Sequence, residues 1–159
     1  MVEYELITTI SVNLGRWAKT DEGKRGKLPD GWRRFMFQEA AFNLAWLPPD
    51  CYGKLCVEIK TRHWSFEGMK SGVALGWQKA VRDGGRGQMR VVEGSEIWMD
   101  KFEKWEMHES DFFPLPKWDE PILLWMLGYG EMLEEETAHT KISAPGIAMW
   151  TVGFFRKIE

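Results

Sequence analysis

The sequence predicts a single α+β domain, with a mixed or antiparallel sheet of about four strands packed against about three helices. Three observations carry that expectation. Residues 2–14 alternate apolar and polar, as a half-buried strand does, with Ile7 the exception on the polar face. Capping residues at Asp30, Ser65 and Asp119 each precede a stretch that reads as helical. The 159 residues suit one domain and contain no internal repeat or linker.

The elements follow in order. Val2, Tyr4, Leu6, Thr8, Ile10, Val12 and Leu14 share one face of the first strand. The basic, glycine-bearing stretch from Gly15 to Pro29 reads as a loop. Asp30 caps a helix to about Trp46, which Pro48-Pro49 stops. Lys54 to Trp64 is a second strand, with Val57 and Ile59 opposite Glu58, Lys60 and Arg62. Ser65 caps a helix to about Arg82, in which Gly72 and Gly76 cost helix propensity and so imply close packing. After the turn 83–87, Gln88 to Met99 is a third strand with a bulge at Gly94. The aromatic, acidic stretch 100–118 reads as irregular. Asp119 and Pro121 open a helix to about Thr137, and Ile147 to Ile158 is apolar on both faces, like a central strand.

Composition narrows the functional classes. The longest apolar run, Ile122 to Leu127, is far short of the roughly 20 residues of a membrane span, so no membrane association is expected. The first ten residues carry no Lys or Arg, so no secretory signal is read and a cytoplasmic location is expected. Cys51 and Cys56 have neither disulfide-scaffold number nor zinc-site spacing. Charge is unevenly placed: the net −3 divides into +5 over residues 1–92 and −8 over residues 93–159. Ten Trp exceed what one small core hides, leaving some rings for a docking surface.

On a wheel of the first expected helix, Glu39 and Asn43 fall among Trp32, Phe35, Met36 and Trp46. A carboxylate in such surroundings either finds partners in the core or serves as a base, a ligand or a hydrogen-bond reader. Pro49-Asp50 followed by Glu58-Ile59-Lys60 resembles the signature of the PD-(D/E)xK nucleases. That resemblance implies Mg²⁺ held by Asp50 and Glu58, Lys60 activating a water, and Glu39 assisting from a helix; Gln78 stands where some members keep a glutamine. Two carboxylates on a hard cation would polarise a phosphate and acidify a bound water. The plain alternative is the charged outer face of an amphipathic strand. One acid-x-Lys triplet besides this one, Glu22-Gly23-Lys24, matches the expectation from chance.

The same strand face offers a different chemistry. Lys60, Arg62 and Trp64, with Arg86 and Arg90 further on, interleave cations and rings as single-stranded nucleic acid requires. The acidic second half, with Trp98, Trp105, Phe112, Phe113 and Trp118, suits a basic protein surface. None of the three histidines has metal-site spacing, and no nucleophile motif is present.

The expected function is therefore a small binding or accessory protein that occupies a protein or nucleic-acid partner through a Trp-rich, charge-segregated surface, as inhibitors from mobile elements do. Its binding residues are Arg62, Trp64, Arg86, Arg90, Trp98, Trp105 and Trp118, and no cofactor is expected. A Mg²⁺-dependent nuclease using Glu39, Asp50, Glu58 and Lys60 is the second reading. The third is a small-molecule pocket lined by Trp32, Trp46 and Glu39. The oligomeric state is left open.

Overall fold

The structure, a computed structural model, describes residues 2–15, 20–21, 28–35, 41–60, 70–80, 88–99, 104–130 and 145–158. Every regular element among them is a β-strand: β1 (Glu3–Asn13), β2 (Thr20–Asp21), β3 (Trp32–Phe35), β4 (Ala41–Phe42), β5 (Cys51–Lys60), β6 (Ser71–Lys79), β7 (Arg90–Val91), β8 (Ile97–Met99), β9 (Glu106–Glu109), β10 (Phe113–Pro114), β11 (Ile122–Gly130) and β12 (Gly146–Ile158). The α+β expectation is wrong, and the protein is all-β. The stretches expected to be helices over 30–46, 65–82 and 119–137 contain β3 and β4, β6, and β11 respectively.

Two antiparallel sheets face each other. Sheet A has the order β1, β12, β5, and then an edge formed by β9 and β10 together. Sheet B runs β2, then the β3–β4 line, β11, β6, and finally the β7–β8 line. With the broken strands counted as single lines and β2 set aside, the described residues make eight lines. They pair first with eighth, second with seventh, third with sixth and fourth with fifth, alternately in sheet A and sheet B. This is one long hairpin rolled on itself, the jelly-roll topology.

The core explains why the sequence misled. The sandwich interior holds Leu55, Val57 and Ile59 of β5, Trp150, Val152 and Phe154 of β12, Val73 and Leu75 of β6, and Leu124 and Met126 of β11, all at most 1% exposed. A second apolar cluster, of Trp32, Ala74, Met89, Trp125 and Leu127, lies on the outer face of sheet B. β6 and β11 are thus buried on both faces, which removes the polar alternation that marks a strand. Their continuous apolar runs are then indistinguishable by periodicity from a buried helix.

Two buried serines repair the broken edges. Between β9 and β10 the register on β5 slips by one residue, and the Ser110 hydroxyl accepts a hydrogen bond from Leu55 N–H at 2.9 Å. Between β7 and β8 the chain turns through Gly94 (φ 91°), and the Ser95 hydroxyl accepts from Leu75 N–H at 3.0 Å. Each hydroxyl also donates to a backbone carbonyl, of Asp111 and of Val92 respectively. Both leucines are fully buried, so both amides need these partners. β1 holds a further irregularity, a bulge between Leu6 and Thr8. It divides the face read as continuous: Ile10 and Val12 point into the core, whereas Leu6 points outward over Gly153.

Candidate functional site

The most distinctive external feature is a cross-strand row at one end of sheet B. Register places Trp32 of β3 beside Tyr129 of β11, Tyr129 beside Gly72 of β6, and Gly72 beside Trp98 of β8. Because Gly72 has no side chain, the Trp98 ring lies down across it. A Cβ at position 72 would sit 2.6 Å from Trp98 Cε3 and 2.9 Å from the Ile97 carbonyl oxygen. Trp98 thereby reaches both other rings, with centroids 5.2 Å from Tyr129 and 5.6 Å from Trp32, and Trp32 and Tyr129 are 5.3 Å apart. The planes meet at 79°, 49° and 72°, within the tilted and edge-to-face range that aromatic quadrupoles favour.

Lys70, just before β6, closes the cluster. Its Nζ stands 4.1 Å from the Trp98 ring centroid and 5.6 Å from that of Tyr129, a cation–π contact with both. Trp32 is buried and Tyr129 half-buried, but Trp98 keeps 44% of its surface in solvent. Two of the strand-borne cations of sheet B lie away from the row: Lys79, paired with Glu120 at 3.9 Å, and Arg90 stand at the other end of β6, beside Ile122 and Trp77. β3, β4, β6, β7, β8 and β11 carry Arg33, Arg34, Lys79 and Arg90 and no acidic residue, with Asp21 of β2 the one acid on the strands of this sheet. Arg34 is itself buried, bonded to Gln78 Oε1 at 3.1 Å and set over Trp125, so it supports the face rather than meeting solvent.

The other expected site residues are scattered. Glu39, Arg62, Trp64 and Arg86 lie outside the described residues. Arg90 is exposed and stands 5.9 Å from the Trp77 ring. Trp105 is half-buried just before β9. Trp118 is buried against Trp77, so it is a core residue and not a contact surface. Gln78, expected on a helix, is in β6 as the partner of Arg34.

The nuclease geometry does not assemble. Asp50 immediately precedes β5, whereas Glu58 and Lys60 are at the strand's far end. Eight residues of extended chain put Asp50 and Glu58 roughly 26 Å apart. Carboxylates sharing one Mg²⁺ each approach it to about 2 Å, so these two do not fit the ion. Among the described residues no group of three or more His, Cys, Asp or Glu is placed to hold a metal. Asp50 has a local role instead: with φ 60° it forms the turn after Pro48-Pro49.

The expected pocket also divides. Trp32 is in the row just described, while Trp46 is exposed in the β4–β5 connection. A separate cleft of about 370 Å³ lies at that end, between the β4–β5 and β10–β11 connections, lined by Leu44, Leu47, Tyr52 and Pro116. Lys117 Nζ ties the two connections by donating to the carbonyls of Ala45 (3.3 Å) and Leu47 (3.1 Å).

Sequence reasoning singles out Trp98 as a docking residue and Trp32 as a pocket residue, but places Trp32 and Tyr129 on helices and so does not bring the three together. The usable sign was Gly72, too costly for a helix without a packing reason. No family model, curated protein or solved structure matches the chain. Among the described residues no helix is long and apolar enough to cross a membrane.

Proposed function

We propose that the protein is a binding protein that acts by occupying a protein partner, with Trp98 and Lys70 as its anchor. The observation that carries this reading is the Trp32–Tyr129–Gly72–Trp98 row. A glycine in a central strand is spent on seating a Trp ring whose outer surface remains in water. Trp and Tyr set in a rigid row lose little conformational freedom on contact, and such residues dominate interface energies. Lys70 lies over the Trp98 ring and holds it in place, and an apolar side chain of the partner packed against that ring excludes water from the contact.

The test compares immobilised wild-type protein with Trp98→Ala, using extract of the cells that make it and, separately, labelled single-stranded DNA and RNA. A protein held by the wild type and lost from the variant supports the reading. Identical retained proteins on both, or retention of the oligonucleotides alone, overturns it.

A further inference from the structure

The edge of sheet A formed by β1 points to a second interaction surface, and we propose that it pairs antiparallel with β1 of a second copy of this chain. β1 has eleven residues and, among the described residues, pairs only with β12. Its other side therefore presents a row of backbone N–H and C=O groups. Exposed edges of that length are normally blunted by charge, proline or interruption.

The other edges follow that rule: β2, for one, is two residues long and carries Asp21. The β9–β10 line is bulged at Ser110 and carries Glu106, Glu109 and Pro114. The β7–β8 line is broken by the turn at Gly94. In β1, by contrast, the stretch from Thr8 to Asn13 has no charge, no proline and no register shift, and is mostly β-branched.

Burial gives a second argument. The inward residues of β12 and β5 are essentially fully buried, yet Ile7, Ile10 and Val12 of β1 remain partly exposed while packing on the same core. A neighbouring strand would complete that burial. Val2, Leu6 and Ile158, at 50%, 54% and 40% exposed, cluster at the lower end of the β1–β12 pair and add apolar surface beside the edge.

Charge selects the occupant. The only charges in β1 are Glu3 and Glu5, both at its start. A two-fold at Thr9 puts the two Glu5 residues on opposite sides of the axis, roughly 25 Å apart. Thr9 then faces Thr9 and Thr8 faces Ile10, pairs within the unbulged stretch that cross-strand packing accepts. The strand is thus self-complementary in the antiparallel sense, as an isologous interface requires.

Sedimentation of the full chain at tens of micromolar, beside Thr9→Lys and Thr9→Val, tests this. Thr9 is exposed, and far-UV circular dichroism with a thermal melt checks that each variant keeps the fold. The expected result is a concentration-dependent dimer for wild type and Thr9→Val, and a monomer of 18.6 kDa for Thr9→Lys. Facing lysines should weaken the dimer by about tenfold or more. Amide exchange in β1 should also slow as protein concentration rises. A monomeric wild type, or a dimer that Thr9→Lys leaves intact, overturns the proposal. Either result leaves the reading of Trp98, on the other sheet, untouched.

Discussion

Ser95 and Ser110 show how much of this fold depends on single hydroxyls. Each replaces a backbone acceptor where an edge line breaks, and each serves the amide of a fully buried leucine. Removing either leaves a buried N–H without a partner. Ser95→Ala and Ser110→Ala should therefore each lower unfolding free energy by about 1–3 kcal/mol, read from urea titrations. A loss below a few tenths for either would show that water or a shifted backbone satisfies the amide. The cysteines offer a pH-dependent counterpart. Burial pushes the Cys51 and Cys56 thiols up, and Glu109 raises Cys56 further. A thiol with a raised folded pKa contributes stability that is intact below its ordinary value near 9.0 and is lost as pH climbs through the folded value. The urea midpoint should thus fall between pH 8 and pH 10, and fall less in a Cys51→Ala, Cys56→Ala variant. An equal fall in both proteins would remove the thiols from the account.

At the scale of elements, β1, β5 and the central strand β12 are legible in the sequence, whereas β6 and β11 are not. β1 and β5 are strands as expected, with β5 beginning three residues earlier and the expected single face of β1 divided by its bulge. The strand expected over 88–99 is present as β7 and β8, with the anticipated irregularity at Gly94 widened into a turn. β11 is hidden by large apolar residues on both faces, and β6 by small ones on its outward face. Val73, Leu75 and Trp77 alternate inward, but the outward positions are Gly72, Ala74 and Gly76, whose smallness hides the period. Those small residues accommodate large ones from neighbouring strands: Trp98 over Gly72 and Leu127 over Gly76. Gly72→Ala should displace the Trp98 ring, because the new methyl meets both the ring and the Ile97 carbonyl. Nuclear Overhauser contacts between Trp98 and Tyr129 should weaken or vanish in that variant. Their persistence would mean the row does not need the glycine.

For the whole molecule, the rolled hairpin assigns different tasks to the two sheets. Sheet A closes the core with an edge suited to its own copy, while sheet B buries a second apolar cluster and carries the aromatic row. Charge follows the same division: the strands of sheet A mix Glu3, Glu5, Glu58, Glu106 and Glu109 with Lys54, Lys60, Arg156 and Lys157. The segregation visible along the chain is therefore reshuffled by the topology, which interleaves early and late strands. Of the candidate site, Trp98 and Trp32 are legible singly, but not their juxtaposition, since a cross-strand row is defined by register between β3, β11, β6 and β8. The jelly roll itself does not specify an activity, which must rest on the row. The deciding measurement is a calorimetric titration of the captured partner against wild type, Trp98→Ala and Trp46→Ala. Trp46 is the control because it is more exposed, at 59%, yet stands outside the row. Trp98→Ala should weaken binding about tenfold to thirtyfold, as an anchor of roughly 2 kcal/mol does, with Trp46→Ala unchanged. Full affinity in Trp98→Ala, or a loss confined to Trp46→Ala, would contradict the account.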